Sequence, residues 1–96
     1  MPAVCRGDLV DEDTIHCEIP RRLERSPDVF VNSIGISRQG DNNNSHKGPL
    51  CIPHQAPIAT GSPTVFINGK GCGRVGDAVT ACTSVATGSP NVFCGP

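Results

Sequence analysis

The chain has 96 residues, of which 36% are hydrophobic, with three Phe, no Trp and no Tyr. A formal net charge of −1 gives no electrostatic case for binding nucleic acid or a membrane surface. Eleven Gly and nine Pro favour turns and short strands over helices, so we expect one all-β domain over residues 1–96. Because so little apolar bulk makes a weak core, a metal, disulfides or a partner surface should add stability.

The cysteine content bears on the cellular compartment. No apolar run approaches the length of a signal peptide or a membrane span, so we expect synthesis in the cytoplasm without a signal peptide. In that reducing compartment the six Cys should be thiols or metal ligands rather than a disulfide framework. A disulfide among them stays open as the alternative.

The first part of the chain is dense in charges of both signs. Most of the acidic residues lie within residues 8–28, together with Arg21, Arg22 and Arg25. Such a mixture is typical of a solvated loop. Residues 20–25 could form one helical turn, which is too short to be stable by itself.

An internal repeat follows. Residues 26–41 and 62–77, offset by 36, share nine identities in 16 positions, including a Ser-Pro-x-Val-Phe segment, an Arg and a closing Gly-Asp. The Ser-Pro-x-Val-Phe segment recurs a third time at residues 89–93. We therefore interpret the chain as nearly three copies of one unit, at approximately 7–40, 41–76 and 77–96. A circular arrangement would let residues 2–7 complete the third copy.

Each copy reads as a small hairpin. In the second copy, residues 64–67 are β-branched or aromatic and predict a strand, and Asn68-Gly69 predicts a type I′ turn. Ser33-Ile34 stands in the first copy where Gly69-Lys70 stands in the second. This change predicts a degenerate or differently turned hairpin in the first copy.

The histidines lie in the loops between these hairpins, with His16 in the first loop and His46 and His54 in the second. His46 follows Asp41 by five residues, as Cys82 follows Asp77. Loops packed around a pseudo-threefold axis would converge, and three imidazoles with one thiolate form a closed tetrahedral set for Zn²⁺. His16 is the least secure member because it follows Asp8 by eight residues. Two neighbouring cysteines are possible substitutes, Cys17 and Cys51. Apart from Cys82 and these two, three cysteines remain. They are expected to be small buried apolar residues: Cys5, Cys72 and Cys94.

Residues 61–77, Gly-Ser-Pro-Thr-Val-Phe-Ile-Asn-Gly-Lys followed by Arg-Val-Gly-Asp, resemble the signature of the PAAR-repeat family. The third copy, residues 87–93, resembles the closing motif of that family. One departure is visible. The Pro-Ala-Ala-Arg tetrapeptide that names the family is here Gly71-Cys72-Gly73-Arg74, so only the Arg is retained.

The resemblance implies an all-β cone of three short sheets around a pseudo-threefold axis. Its base would cap the blunt end of a trimeric β-helical spike, one copy per trimer, in a type VI secretion system (the VgrG trimer) or a contractile phage tail. One structural Zn²⁺ would be held at the point by His16, His46, His54 and Cys82. The role would be mechanical membrane piercing and not catalysis. The chain would be a bare tip that carries any effector cargo noncovalently and leaves the cytoplasm with the virion tail or by type VI secretion.

Three other readings of the same residues compete with this one. Three His ligands with Glu18 as general base would make a zinc-dependent hydrolase, which needs an open position on the metal. Six Cys in a small chain would suit a disulfide-stapled secreted inhibitor or toxin module, although the repeat does not repeat its cysteines. A nucleic-acid-binding zinc module lacks the expected basic and aromatic clusters.

Overall fold

The architecture is that of a computed structural model, which describes residues 1–15, 17–48 and 52–95. Six two-residue strands form three antiparallel two-stranded sheets, β1 with β2, β3 with β4 and β5 with β6. The strands are β1 Phe30–Val31, β2 Ile34–Gly35, β3 His46–Lys47, β4 Pro53–His54, β5 Phe66–Ile67 and β6 Lys70–Gly71. The described residues contain no helix, which confirms the predicted all-β class.

The segment 20–25 is extended and not a helical turn. Arg21 forms an isolated bridge with Glu12, and Arg22 forms one with Asn43. Cross-chain pairing therefore overrides the weak local tendency to form a helix. Across the three described stretches, no helix is long and apolar enough to cross a membrane.

The first two repeat copies fold into equivalent hairpins. Phe30 pairs with Gly35 in one and Phe66 with Gly71 in the other. The turn residues of the first have φ of 54° at Asn32 and 65° at Ser33, and those of the second have 54° at Asn68 and 78° at Gly69. The predicted difference between the two hairpins is therefore wrong. Ser33 adopts the left-handed conformation because the strand register requires it.

The third copy is completed by the N-terminal segment. Ala3 pairs with Phe93, as Gly35 pairs with Phe30. The N–H of Val4 donates to the carbonyl of Val92 at 3.0 Å. Residues 2–11 with 89–95 therefore form one unit. We call the three units wedge 1 (residues 26–41), wedge 2 (residues 62–77) and wedge 3 (residues 2–11 with 89–95).

The repeated Ser explains why the Ser-Pro-x-Val sequence recurs. In each wedge its Oγ accepts the N–H of the Val three residues on, and the hydroxyl donates to a neighbouring wedge. The three donations are Ser26 to Asn68 Oδ1 at 2.6 Å, Ser89 to Asn32 Oδ1 at 2.7 Å and Ser62 to the carbonyl of Gly95 at 2.7 Å. The same hydroxyl thus orders its own turn and joins two wedges.

A closed hydrogen-bond ring lies at the pseudo-threefold axis. The N–H of Cys5 donates to the carbonyl of Gly73 at 3.0 Å, Gly73 donates to Ser37 at 3.0 Å, and Ser37 donates to Cys5 at 3.1 Å. All three residues are buried. A Cβ at Gly73 would overlap the carbonyl oxygen of Ser37 and lie 2.7 Å from Sγ of Cys5, so this position of the ring requires a residue without a side chain. The ring makes the three wedges mutually dependent.

An Arg–Asp pair closes each wedge and corrects the predicted register of the first loop. Arg38–Asp41 and Arg74–Asp77 are separated by 2.8 Å, and the third pair is Arg6–Asp11, also at 2.8 Å. Asp8, predicted as the equivalent of Asp41, is instead exposed. The two extra residues of this turn include Asp8 and Leu9 at positive φ, 53° and 65°. They bulge outward and hide the equivalence of Asp11.

The charged first loop is not fully solvated. Asp11, Asp13 and Arg22 are buried, and Nη2 of Arg22 lies 3.0 Å from Oδ2 of Asp13 with both side chains 0% exposed. The guanidinium also donates to the carbonyl of Asp41 at 3.1 Å. Burial of this pair is possible because each charge has a partner, and it contradicts the prediction of a loop in water.

Two apolar clusters lie along the molecule. The first contains Val4, Val31 and Cys94, and the second contains Cys5, Ile58 and Val85. Since Val4 and Cys5 are adjacent, the hydrogen-bond ring lies at the junction of the two clusters. The extents of 34 × 23 × 22 Å show one long axis and two nearly equal short ones.

The third sheet, β3–β4, belongs to the second loop and not to wedge 3, unlike the three wedge-related sheets that the resemblance implied.

Candidate metal centre

Two histidines face each other across the β3–β4 hairpin. His46 and His54 are paired residues in the strand register. Their ring centroids are 4.5 Å apart, with an interplanar angle of 65°. His46 is buried and His54 half-buried. The hairpin therefore holds two imidazoles in fixed relation.

A thiol from the third loop joins them. Cys82 lies in a turn where its N–H donates to the carbonyl of Val79 at 3.1 Å and Ala81 has a positive φ of 50°. Its Sγ lies 3.5 Å from Nε2 of His46. One ligand atom from each of His46, His54 and Cys82 lies within 4.8 Å of the others. This spacing suits convergence on one ion.

A backbone carbonyl orients the His46 imidazole. Nδ1 of His46 lies 2.7 Å from the carbonyl oxygen of Asn44, so Nδ1 carries the proton and donates. The lone pair is then on Nε2, which faces the Cys82 sulfur. Metal-bound His residues characteristically donate their other N–H in this way. Two imidazoles and a thiol are a donor set that suits Zn²⁺.

Gly48 makes room for the second imidazole. A Cβ at this position would overlap Nε2 and Cδ2 of His54. The N–H of Gly48 donates to the carbonyl of Ile52 at 2.9 Å, which closes the hairpin above the two strands. Any side chain here would push the His54 imidazole away. The sequence offered a signal, a Gly two residues after a candidate ligand, that our prediction did not use.

Burial raises the pKa of the Cys82 thiol, a hydrogen bond with Asn43 opposes the rise, and the charges of Asp13 and Arg22 act in opposite directions. A bound divalent cation has the opposite effect and deprotonates a coordinating thiol outright. The buried Asp13–Arg22 pair thus lies close enough to affect this site electrostatically. Our sequence prediction assigned that pair to solvent and missed this role.

The other predicted ligands have different outcomes. His16 and Cys51 lie outside the described residues. The corrected register places His16 five residues after Asp11, the spacing that His46 and Cys82 keep from their own aspartates. Cys17 is disulfide-bonded, so its prediction as a free thiolate substitute is wrong.

Three further cysteines and one acidic residue have defined places in the structure. Cys5, Cys72 and Cys94 are buried free thiols, which confirms their predicted burial. The Glu18 carboxylate, considered as a general base, accepts the N–H of Lys47 at 2.6 Å. It lies beside the strand that carries His46 but is held by the backbone.

Residues 52–96 match the PAAR motif family model. The chain contains a PAAR motif. The PAAR-motif match includes His54, Cys82 and wedge 2, so it spans two of the three donors and one complete hairpin.

Three toxins are similar to this PAAR-motif protein. It is 36% identical over 78 residues to the NAD(P)(+) glycohydrolase toxin Tse6 of Pseudomonas aeruginosa, and also to the (p)ppApp synthetase toxin Tas1 of another strain of that species. Each match covers 76% of this chain and 18% of the relative. The double-stranded DNA deaminase toxin A of Burkholderia cenocepacia is 33% identical over 70 residues, covering 71% of this chain and 5% of the relative. The chain thus spans less than a fifth of the curated relatives it matches.

Proposed function

We propose that this PAAR-motif protein is the structural tip of a contractile injection machine, a type VI secretion system or a phage tail. It caps the blunt end of a trimeric β-helical spike and sharpens it for membrane puncture. The observation that carries the proposal is the hydrogen-bond ring of Cys5, Ser37 and Gly73, which arranges three similar wedges about one axis. A single chain with this symmetry can meet three identical spike surfaces at once.

The surface proposed to meet the spike carries one exposed aromatic residue per wedge. Phe30 is 54% exposed, Phe66 60% and Phe93 49%. They occupy the same place in each Ser-Pro-x-Val-Phe segment, and the preceding Val is half-buried in wedges 1 and 2 and exposed in wedge 3. Large apolar side chains repeated around a symmetry axis are suited to burial against a partner. The residue after each Phe is a member of the first cluster or packs against it, whereas Cys82 packs against the second cluster.

At the other end we propose one structural Zn²⁺ held by His16, His46, His54 and Cys82. The donor triad of the last three supports this set, and the Asp11 spacing supports His16 as the fourth ligand. Four protein ligands complete a tetrahedral site and leave no open position for substrate. The proposed role is therefore mechanical and not enzymatic, with the ion joining loops that have little core of their own.

The similarity to toxins concerns the cargo that such a tip would deliver. Their names describe enzymes, and the part they share with this chain is a small fraction of each. We propose that the shared part is the delivery module and that toxic activity belongs to the remainder or to bound effectors. The tip would be assembled on the spike in the cytoplasm and would leave with it.

The test is the stoichiometry of the complex with the spike trimer from the same genome. Light scattering after size exclusion should show one tip chain per spike trimer. Phe66→Ala should weaken binding, and adding Phe30→Ala and Phe93→Ala should abolish it. Ile15→Ala, at an equally exposed site of 61% that lies outside the three wedges, is the matched control and should bind normally. Three tip chains per trimer, or full binding by the triple variant, would contradict the proposal.

A further inference from the structure

We propose that Cys72 and Cys94 are a disulfide-forming pair that locks the C-terminal segment of wedge 3 to wedge 2. The two sulfurs are 3.3 Å apart, the side chains are buried, and both cysteines are free in this state. At this separation, small changes in the two side-chain torsions bring the Sγ atoms to the length of a disulfide bond. The bond would join wedge 2 to wedge 3.

The equivalent positions in the other wedges hold aliphatic side chains. Ile36 and Val4 stand where Cys72 stands, and Val31 and Ile67 stand where Cys94 stands. All of these residues except Ile67 are buried members of the first apolar cluster, and Ile67 packs against it. Packing in this layer is therefore satisfied without sulfur. Two thiols meet at only one of the three wedge boundaries.

A covalent link at the boundary between wedges 2 and 3 would hold the C-terminal segment in place. The segment 89–95 is held in wedge 3 by hydrogen bonds to residues 2–4, including the N–H of Cys94 to the carbonyl of Pro2 at 3.1 Å. A disulfide would keep this segment attached to wedge 2 when those bonds open. It would also close a loop across 22 positions of sequence, which restricts the unfolded chain.

The oxidant is a low-molecular-weight disulfide such as oxidised glutathione. The Cys94 thiolate attacks one sulfur of the oxidant, expels one small thiolate and forms a mixed disulfide. The Cys72 thiolate then attacks the Cys94 sulfur and expels the second small thiolate. The two cysteine protons end on the two released thiols, so two cysteines are oxidised and one small disulfide is reduced.

Burial raises the pKa of the Cys72 thiol, and the neighbouring Cys94 adds to the rise. Attack by Cys72 is therefore slow in the folded protein, and the reaction should be followed over hours. Oxidative cross-linking is compatible with this chain, since Cys17 is already disulfide-bonded.

The experiment uses the full zinc-loaded chain, incubated with or without oxidised glutathione, alkylated after unfolding and mapped by mass spectrometry. A peptide joining Cys72 to Cys94 should appear, with Cys5 and Cys82 still open to alkylation. The oxidised protein should melt higher by about 5–15 °C. A cross-link between other cysteines, or full alkylation of Cys72 and Cys94 after incubation, would overturn the proposal.

Matched variants keep this test independent of folding and of the spike. Cys72→Ile and Cys94→Val introduce residues that the other wedges already hold at these positions, so both should fold and lose the oxidation-dependent shift. Cys5→Ser introduces the residue present at the equivalent Ser37 and should keep the shift. Loss of the shift in Cys5→Ser would assign the reactive thiol elsewhere and overturn the pair.

Discussion

The sulfur of Cys82 lies 3.5 Å from Nε2 of His46, and the two residues are 36 positions apart in the chain. The same offset separates Phe30 from Phe66 and Ser26 from Ser62. Equivalent positions of consecutive repeats therefore meet at the metal centre. This relationship connects the repeat, the wedges and the ligands.

Gly48→Ala should weaken zinc binding with little effect on the rest of the fold. The added methyl group overlaps the His54 imidazole and must displace it from its place opposite His46. Disturbing the surroundings of a ligand typically costs about 10–100-fold in metal affinity. Competition with a chromophoric chelator measures the affinity. Gly69→Ala is the control, since its Cβ would meet nothing within 4 Å and its φ of 78° makes only a local strain. Equal zinc affinity in both variants would show that Gly48 has no role at the site.

Ser33→Gly should stabilise the protein by about 0.5–1 kcal/mol. Ser33 has a φ of 65° in a turn whose counterpart is occupied by Gly69 at 78°. A left-handed conformation costs a residue with a Cβ roughly 1–2 kcal/mol, of which the greater freedom of unfolded Gly offsets a part. Urea unfolding of the zinc-loaded protein measures the change. The reciprocal variant Gly69→Ser should destabilise by about 1 kcal/mol. If both variants move stability in the same direction, the two turns are not equivalent.

The Asp13–Arg22 pair should respond to pH in a way that depends on which partner is removed. Burial raises the pKa of Asp13 above its unfolded value, although Arg22 and Asn43 oppose the rise. Between the unfolded and the folded pKa the native state binds more protons than the unfolded state. Stability contributed by this group is therefore full below the unfolded pKa and declines as pH rises through that window.

Removal of Arg22 should destabilise by roughly 3–5 kcal/mol at neutral pH, because a buried carboxylate loses its partner. Arg22→Met should recover part of this loss on acidification, since Asp13 can become neutral by taking up a proton. Asp13→Asn leaves a guanidinium that cannot lose its proton, so its deficit relative to wild type should not shrink in acid. Urea unfolding of both variants against wild type at each pH tests this. A deficit that changes with pH in the same way for both would contradict the electrostatic account.

The sequence predicted the main features of the fold and much of the site. The repeat offset alone predicted that Cys82 and His46 occupy equivalent positions, and the turn residues predicted the wedge 2 hairpin. Residues 2–7 were predicted to complete the third copy, and Ala3 does pair with Phe93. These predictions succeeded because they depend on local chemistry and on self-similarity.

The errors have a common physical origin. Asp8 was chosen over Asp11 because a two-residue bulge shifts the Gly-Asp pattern, and only three-dimensional pairing with Arg6 identifies the true counterpart. Arg22 was assigned to solvent because a mixed-charge sequence is the same whether its charges are hydrated or paired in a core. Gly48 was overlooked because its importance comes from the place of His54, a contact across the hairpin.

The most direct test of the account is the zinc content of the purified chain and of four single variants. The wild type should contain about one zinc per chain, as a closed tetrahedral site requires. Alanine at His16, His46, His54 or Cys82 should reduce the zinc content and lower the melting temperature together, by more than about 10 °C. A chelator should lower the melting temperature of the wild type and leave Cys82→Ala unchanged. A well-folded wild type without zinc, or variants that lose stability while zinc stays stoichiometric, would contradict the metal centre on which the account rests.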